Sequence, residues 1–381
     1  MRALFSRVRA VWIMWLLLGS GLVAGCAPQP GLLPFDGPVD KVQTVFMATS
    51  RNQQVAREED GTRPEFGSGR GQELHFGRYD MSVPPDRDPG ALALPTAKAD
   101  PARDFLMVGS ERYQSEAAFI AAVNRALAPL PPAKRHVTLY VHGYRASFAE
   151  SVLNTAQLAA DYHLPGPVVL FAWPSADQLT HYLYDRDSTL YSRDQFVRTL
   201  KALTKTRATE VNVIAHSMGG FLVMEGLNRL VLNRDRATLN RINGVLLAEP
   251  DISIDVFRSQ IAGLDLNRLD LAVMVSGRDR ALQVSSLIAG GTPRLGERRN
   301  LETLRRLGVY VVDLSQFNDG TLIGHTAFQN SPELVSLFSS GRLVQGIEAN
   351  KGGDNIAVQA LNTVGNVTLL IAYLPYRLTG Q

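Results

Sequence analysis

The sequence has one cysteine among its 381 residues, Cys26, and almost no surplus of charge. A single cysteine excludes a disulfide within the chain. The 39 basic and 36 acidic residues include Arg2, Arg7 and Arg9, which precede a segment interpreted below as a signal. Without these three the charges balance, so nothing indicates a nucleic-acid surface, which needs a basic surplus on one face. A composition of 45% hydrophobic and 20% charged residues excludes collagen-like, coiled-coil and wholly disordered chains.

Metal-ligand patterns and phosphate-binding loops are also missing from the sequence. No group of cysteine, histidine and carboxylate residues has the spacing of metal ligands. No glycine-rich phosphate loop follows a predicted strand. We therefore expect no metal, nucleotide or flavin cofactor.

The amino-terminal residues have the layout of a signal peptide. Residues 1–9 carry three arginines and no acid, and residues 10–25 form an uncharged, mostly apolar run. The run ends in Leu-Val-Ala-Gly-Cys at 22–26, which resembles the bacterial lipobox, whose cysteine thiol accepts a diacylglycerol. We expect residues 1–25 to be a removed signal peptide and Cys26 to be lipidated. An ordinary secretion signal or an inner-membrane anchor is the alternative.

Lipidation at Cys26 would tether the protein to a membrane, because two or more acyl chains hold a protein stably on a bilayer. In bacterial lipoproteins an aspartate directly after the cysteine tends to retain the protein at the inner membrane, and this chain has Ala27 there. By that resemblance we expect an outer-membrane protein that faces the periplasm or the cell exterior. Residues 26–41 are rich in proline and glycine and are predicted to form an extended spacer.

From about residue 42 the sequence alternates between short β-rich runs and longer segments with helical periodicity. This alternation is typical of an α/β fold, a mostly parallel sheet with helices on both faces. We predict one domain over residues 42–340. The predicted strands are 42–48, 75–83, 105–108, 137–141, 168–172, 211–215, 244–248, 271–276 and 309–314. Two predicted helices begin near Ser115 and Ser147, and three more span 195–203, 218–230 and 332–339.

Three stretches between or after these elements are less regular. The first two strands have no helix between them, so they are expected to form an extra antiparallel pair at a sheet edge, joined by a loop over residues 49–72. Residues 178–191 show no clear periodicity and are interpreted as a lid, a substrate-facing loop or a surface connection. Residues 341–381 are predicted to be a C-terminal tail. Its apolar segment 356–374 is long enough for a membrane span, but interrupting polar residues favour packing on the domain or on a membrane surface.

A serine lies where a predicted strand leads directly into a predicted helix, in Ala-His-Ser-Met-Gly at 215–219. This context is typical of a nucleophile elbow, a sharp turn that lifts the serine hydroxyl above the sheet edge. The residues two before and two after the serine must be small. Gly219 fits, whereas Ala215 departs from the usual glycine by one methyl group. The alternative is that Ser217 only caps the helix. We predict that Ser217 is a nucleophile.

Attack by a serine on a carbonyl also needs two backbone N–H groups that stabilise the oxyanion. The N–H of Met218 comes directly after the serine, at a helix N-terminus whose dipole favours negative charge. The second donor is expected after an earlier strand, where Val-His-Gly-Tyr at 141–144 offers the N–H of Tyr144. Gly143 permits a close approach of this loop, and His142 is expected to orient it.

A serine hydroxyl needs an adjacent base, usually a histidine held by a carboxylate. In this class of sheet the chain order is serine, acid, histidine, and His325 is the one histidine of seven that follows Ser217. Asp279 follows the predicted strand 271–276, at a strand end where active sites of open sheets collect, and we predict that it is the acid. Asp251, after the strand 244–248, is the alternative acid or a helix cap, and Asp319 is a further candidate.

Six segments resemble the α/β-hydrolase superfamily, in particular a branch of bacterial envelope-associated hydrolases grouped with esterases and lipases. They are Phe-Met-Ala-Thr-Ser-Arg at 46–51, His-Phe-Gly-Arg-Tyr at 75–79, Val-His-Gly-Tyr at 141–144, Ala-His-Ser-Met-Gly at 215–219, Pro-Asp-Ile at 250–252 and Asp-Arg-Ala-Leu at 279–282. The resemblance implies the α/β-hydrolase fold and a catalytic triad of Ser217, Asp279 and His325. It implies no substrate.

These features predict a lipid-anchored serine hydrolase that cleaves carboxylic esters, either small molecules or lipids, through an acyl-enzyme. Thioesters and amides share the mechanism and are alternative substrates. A different class of function is a binding lipoprotein of the envelope on a catalytically silent hydrolase scaffold. The sequence specifies no oligomeric state.

Overall fold

One sheet runs through the whole described part of the molecule. The structure, a computed structural model, describes residues 31–54, 66–91, 95, 99–339, 357–360 and 370–373. The strands are β1 (Val42–Gln53), β2 (Phe66–Ser82), β3 (Met107–Tyr113), β4 (His136–Val141), β5 (Val168–Ala172), β6 (Glu210–His216), β7 (Ile242–Ala248), β8 (Asp270–Val275), β9 (Tyr310–Asp313), β10 (Ala357–Ala360) and β11 (Leu370–Tyr373). Across the sheet their order is β10-β11-β9-β8-β7-β6-β4-β5-β1-β2-β3.

The centre of this sheet is parallel and its two edges are antiparallel. Strands β1, β5, β4, β6, β7, β8 and β9 pair parallel in that order. Antiparallel strands extend the sheet beyond β1, through β2 and β3, and beyond β9, through β11 and β10. The predicted antiparallel pairing of the first two strands is confirmed, although β3 rather than β1 or β2 forms that edge.

Ten helices are described, and those between β4 and β9 connect the parallel strands, as crossover connections in a parallel sheet require. The ten helices are α1 (Glu116–Leu127), α2 (Phe148–Asp161), α3 (Tyr182–Thr204), α4 (Met218–Leu232), α5 (Arg236–Leu239), α6 (Ile254–Ile261), α7 (Arg280–Ile288), α8 (Leu301–Arg306), α9 (Ala327–Asn330) and α10 (Pro332–Ser339). The predicted helix starts near Ser115 and Ser147 are confirmed, and both serines cap their helices. Ser115 accepts the N–H of Ala118 at the start of α1, and Ser147 forms a capping box with Glu150 at the start of α2.

Both faces of the sheet are buried under helices. Successive side chains of a strand point to opposite faces, and β4 shows the result. Its Leu139 belongs to the apolar cluster that contains Phe119 of α1, whereas its Tyr140 belongs to the cluster that contains Phe148 of α2. Strands buried on both faces are typical of parallel sheets, so the predicted α/β architecture is confirmed.

Helix α3 begins at Tyr182, thirteen residues before the helix predicted over 195–203. The buried face of its first half consists of polar side chains. Four of them are fully buried: Asp185, Ser188, Thr189 and Ser192. These positions recur at helical spacing, but the apolar pattern that predicts a helix is missing. Of the segment 178–191, residues 182–191 are therefore helical, and the prediction of an irregular loop there is wrong.

The hairpin β1–β2 is longer than predicted, since β1 continues to Gln53 and β2 starts at Phe66 within the predicted loop 49–72. Two register shifts, between Thr49 and Arg51 and between Arg51 and Gln53, interrupt the ladder. The close approach at Gly71 explains the need for glycine there, since a Cβ would lie 2.7 Å from the carbonyl oxygen of Arg51.

The two ends of the chain are described only in part. Residues 33 and 35, inside the predicted spacer, hydrogen-bond the backbone of Met107. Within the apolar segment 356–374, residues 357–360 and 370–373 form β10 and β11. Cys26 and the predicted signal peptide lie outside the described residues. Among the described helices, none is long and apolar enough to cross a membrane.

Candidate active site

Ser217 lies at the tight turn between β6 and α4, with φ 52° and ψ −122°. Positive φ is unfavourable for a residue with a Cβ, so such strain persists only where neighbouring structure enforces it. Here the Ser217 N–H donates to the carbonyl oxygen of Ala248 at 2.9 Å, and its own carbonyl accepts from Gly220 at 3.0 Å and Asp251 at 3.3 Å. The turn has the conformation of a nucleophile elbow, with Ser217 only 3% exposed.

Small residues let this turn pack against the end of β4. A Cβ on Gly219 would lie 2.3 Å from the carbonyl oxygen of His142, and one on Gly143 would lie 3.1 Å from the Cβ of Ser217. Ala215, which departs from the usual glycine, is fully buried in an apolar cluster, so its methyl group is accommodated. The serine and the loop after β4 therefore touch each other.

The structure brings Ser217, His325 and Asp279 together in one chain of hydrogen bonds. The Nε2 of His325 lies 2.7 Å from the Oγ of Ser217, and its Nδ1 lies 2.6 Å from the Oδ2 of Asp279. The side chain of Asp279 is fully buried and that of His325 is 15% exposed. The other Asp279 oxygen accepts the N–H of Leu282 at 3.0 Å, so the acid also caps α7. This is the geometry of a serine nucleophile, a general base and an orienting acid.

The environment of His325 makes it a stronger base. Burial lowers the pKa of the imidazole, but the charge of Asp279 and the hydrogen bond to it raise the pKa by more. Glu249 and Asp251 raise it further, and the resulting pKa is about 9. A base with a raised pKa accepts a proton from a hydroxyl more readily.

Two side chains hold the backbone that carries His325. The Asp319 carboxylate accepts four hydrogen bonds, from the N–H and hydroxyl of Thr321 and of Thr326, at 2.8–2.9 Å. Burial raises the pKa of Asp319, but these bonds lower it by more. His216 binds the carbonyl oxygen of His325 through Nε2 at 2.8 Å. Burial and the charge of His325 lower the pKa of His216 to about 3, so it is a neutral donor. Asp319 therefore holds the loop after β9, which carries His325, through its hydrogen bonds to Thr321 and Thr326.

The loop after β4 is fixed by contacts that the sequence did not reveal. The ring of His142 stacks on Trp173, with centroids 4.8 Å apart, and the indole N–H donates to the His142 carbonyl at 2.8 Å. Burial and the nearby Arg51 lower the pKa of His142 to about 3, which fits an orienting role. Arg51 is 1% exposed and donates to the carbonyl oxygen of Ala146 at 2.7 Å. Its place in the segment 46–51, which resembles the hydrolase superfamily, is the sequence signal that included it.

Of the predicted oxyanion donors, Met218 directly follows the serine and Tyr144 lies in the loop after β4. Met218 is the first residue of α4, so its N–H has no acceptor within the helix. Tyr144 follows Gly143, which packs against Ser217. The Tyr144 hydroxyl donates to the carbonyl of Leu179 at 2.6 Å, which fixes the loop to the segment before α3.

Asp251, the alternative acid, is engaged elsewhere. Its Oδ1 lies 3.1 Å from the Nε of Arg294 and accepts the hydroxyl of Ser285 at 2.7 Å, while Oδ2 accepts the hydroxyl of Tyr182 at 2.9 Å. The Asp251 and Arg294 side chains are both about 95% buried. Asp251 therefore ties the segment after β7 to α3 and α7, and Asp279 is the carboxylate that bonds His325.

Glu249 is a site residue that sequence reasoning missed. It is fully buried at the end of β7, and burial together with the charge of Asp279 raises its pKa to about 8. Ligand atoms of His216, Glu249 and His325 lie within 4.8 Å of one another. Both ring nitrogens of His325 are hydrogen-bonded, one to Ser217 and one to Asp279. An ion bound by all three residues would therefore break one of these two bonds. We therefore interpret this group as part of the proton-transfer site.

Six exposed apolar side chains lie in segments that carry site residues or contact those segments, and we call them the apolar rim. They are Leu179, Leu183, Val284, Leu287, Leu322 and Ile323, each 54% exposed or more. Two contacts join the segments that carry them. The hydroxyls of Tyr182 and Ser285 lie 2.9 Å apart, linking α3 to α7, and the N–H of Arg280 donates to the carbonyl of Ile323 at 2.9 Å. Asp279 and His325 lie in two of these segments, and the third, at the start of α3, contacts α7 through Tyr182.

More than half of the chain matches the profile of one protein family. Residues 115–342 match the profile of a family described as alpha/beta hydrolase of unknown function (DUF900). Similar solved structures include a protein of Xanthomonas campestris pv. campestris described as a hydrolase of the alpha/beta superfamily, at 15% identity and a TM-score of 0.29 over 54% of this chain and 98% of that one. Another is an esterase of Pyrobaculum calidifontis, at 12% identity and a TM-score of 0.35 over 82% of this chain and 86% of the esterase chain. None of the curated proteins compared with the chain matches it.

Proposed function

The chain belongs to the DUF900 family of α/β-hydrolases, and from this premise we propose that it is a serine hydrolase that cleaves carboxylic esters. One observation carries the proposal: the strained serine at the β6–α4 turn is hydrogen-bonded to His325, which is hydrogen-bonded to the buried Asp279. Nucleophilic catalysis by serine needs this combination of a nucleophile at a tight turn, a base and an orienting acid.

In the proposed first half-reaction, the Oγ of Ser217 attacks the ester carbonyl while the Nε2 of His325 takes the hydroxyl proton. Asp279 holds the imidazole through Nδ1 and stabilises its positive charge. The carbonyl oxygen becomes an oxyanion, which the N–H groups of Tyr144 and Met218 stabilise; one such donor contributes about 10²–10³-fold in rate. Collapse of the intermediate breaks the bond to the alcohol, which leaves with the proton from His325.

In the second half-reaction a water replaces the alcohol. His325 takes a proton from the water as it attacks the acyl group on Ser217, and the resulting intermediate expels the serine. The proton returns to Ser217 and the carboxylic acid leaves. The enzyme ends in its starting protonation state, so the cycle needs no cofactor.

The apolar rim supports an ester whose acyl portion is apolar. Its side chains expose large hydrocarbon surfaces in or next to the segments that carry Asp279 and His325, and each methylene of a substrate that they cover contributes up to about 0.8 kcal/mol. A thioester or an amide would use the same atoms of the enzyme, but the family resemblance to esterases and lipases favours the oxygen ester.

A panel of chromogenic p-nitrophenyl esters, from acetate to octanoate, tests this proposal. We expect hydrolysis by the wild-type protein and none above background by Ser217→Ala. Failure on every ester by well-folded protein, with activity on matched thioesters or amides, would change the substrate class. Failure on all three classes would favour a binding protein on a silent scaffold.

We further propose that the mature protein is anchored to the bacterial envelope through a lipid on Cys26, in the outer membrane. The lipobox-like run before the cysteine supports this proposal. Metabolic labelling with an alkyne palmitate analogue and fractionation of the two membranes test it. Label and outer-membrane recovery that both disappear in Cys26→Ser are the expected result, and label that persists in this variant would contradict it.

A further inference from the structure

Glu249 combines two unfavourable features, a left-handed backbone and a buried carboxyl group without a hydrogen-bond partner among the described residues. It follows the last residue of β7 with φ 47°, a conformation that strains a residue with a Cβ. Its side chain is fully buried, and neither carboxyl oxygen has a hydrogen-bond partner among the described residues. A buried carboxyl group without a partner is destabilising. Folds tolerate such features mostly at functional sites, so Glu249 needs an explanation.

The surroundings of the carboxyl group point to His325. A carboxyl oxygen of Glu249 and ring nitrogens of His216 and His325 lie within 4.8 Å of one another. His216 is neutral and already donates to the His325 carbonyl. The cation that Glu249 can stabilise is therefore the protonated form of His325.

Several other titratable groups face this pair from neighbouring elements. Asp279 after β8 and Asp319 after β9 make ionisation of Glu249 less favourable, and the backbone N–H of Phe328 opposes their effect without reaching hydrogen-bond geometry. Glu249 in turn disfavours ionisation of Tyr162 at the end of α2, and Asp251 after β7 acts on His325. Negative neighbours thus outnumber positive ones around Glu249.

We propose that Glu249 is a positioning residue for proton transfer, a second carboxyl group beside Asp279 that stabilises the positive charge of His325 after it takes the proton of Ser217. The proposal rests on the serine-hydrolase function proposed above. Asp279 bonds Nδ1 directly, whereas Glu249 acts through space from the end of the adjacent strand. In a buried site, a charge at this distance is weakly screened.

A through-space role of Glu249 predicts the direction in which the pKa of His325 changes when the carboxyl group is removed. A negative group beside an imidazole favours its protonated form, so removing that group must lower the pKa of His325. An interaction within about 4–6 Å changes a pKa by about 1–3 units. A residue that only fills space would leave this pKa unchanged when replaced by a side chain of the same shape.

The test is an NMR titration of His325 in the full-length protein with ¹³C-labelled histidine, the His325 signal being assigned by its loss in His325→Gln. Glu249→Gln keeps the shape of the protonated side chain and removes its charge. We expect it to lower the pKa of His325 by about one pH unit or more. The matched control is Glu210→Gln at the opposite end of β6, 38% exposed, which should leave that pKa unchanged.

The pH dependence of ester hydrolysis gives a second readout. In Glu249→Gln the acid limb of kcat/KM should move to lower pH with the His325 pKa, and the plateau rate should fall. Glu249→Met, also uncharged, repeats the test if the glutamine variant fails to fold. An unchanged His325 pKa in a folded uncharged variant would overturn the proposal, as would a uniform loss of activity with no movement of the acid limb.

The NMR arm does not depend on turnover. A wild-type protein without hydrolase activity would refute the proposed function, and the titration would still report whether Glu249 stabilises protonated His325. The two failures are therefore distinguishable.

Discussion

The carboxylate of Asp279 uses one oxygen for the Nδ1 of His325, at 2.6 Å, and the other for the N–H of Leu282, at 3.0 Å. The second bond caps α7 and holds the carboxylate, while the first bond joins it to the loop that carries His325. In the proposed mechanism, this carboxylate keeps the imidazole directed at Ser217. Asp279 and His325 thus lie in two different elements, the start of α7 and the loop after β9, which are joined by the hydrogen bond from Arg280 to Ile323.

Asp279→Asn should remove the orienting charge with little effect on the fold, because asparagine is also a good helix cap. We expect kcat/KM for an ester to fall by about 10⁴-fold. Asp251→Asn is the matched control. It leaves Arg294 buried without its partner, which costs about 3–5 kcal/mol of stability, and should keep kcat/KM within about tenfold. Thermal unfolding and ester kinetics of both variants check this, and the reverse pattern would assign the acid to Asp251.

Gly219→Ala should damage the site by forcing α4 away from β4, because its Cβ would meet the His142 carbonyl oxygen at 2.3 Å. A displacement of about 1 Å at the nucleophile costs about 10²-fold in rate. Gly220→Ala gains the same helix propensity, about 1 kcal/mol, but its nearest neighbour is a Pro250 side-chain carbon at 3.2 Å. Comparison of kcat for the two variants measures the effect of the close approach between α4 and the His142 carbonyl. Equal kcat values would indicate that this close approach does not position Ser217.

The pKa of His325, raised to about 9 by Asp279 against the effect of burial, sets the expected pH dependence. The base must be neutral to accept the Ser217 proton, so kcat/KM should rise with pH and reach half of its plateau near that value. The rate should already be low at pH 6.5, where an ordinary histidine is half-protonated. A pH–rate profile in the stable range of the protein tests this, and an acid limb below pH 6.5 would contradict it.

Leu322→Ser should weaken the apolar rim without touching the triad, since Leu322 is 86% exposed. We expect kcat/KM for an octanoyl ester to fall about fivefold relative to the acetyl ester, equivalent to about 1 kcal/mol of lost apolar contact. Leu232→Ser, 69% exposed at the far end of α4, is the matched control and should change neither. Equal losses on both esters would indicate that the rim does not contact the acyl chain.

The sequence was sufficient for much of the fold and for the residues that meet at the site. Parallel strands place their carboxyl ends at one edge, so a serine after β6, an acid after β8 and a histidine after β9 were predictable from their positions along the chain. The first half of α3 was not, because its buried face is made of Asp185, Ser188 and Ser192 rather than apolar residues. Hydrophobic periodicity carries no signal where hydrogen bonds replace apolar packing.

Glu249 and Arg51 were missed for another reason. Glu249 follows β7, and Arg51 lies in β1 beyond the strand predicted over 42–48. Both side chains are buried, which a charged residue type argues against. The backbone at Glu249 is left-handed, and register shifts flank Arg51. Such features depend on tertiary packing and leave no local pattern.

The most direct measurement of the central claim is reaction of the folded protein with a fluorophosphonate, followed by peptide mass analysis. Nucleophilic activation of Ser217 by His325 and Asp279 predicts one phosphonyl adduct on the peptide that contains Ser217, no adduct in Ser217→Ala and much slower labelling in Asp279→Asn. Folded wild-type protein that acquires no adduct, or acquires it on a different serine, would contradict the account.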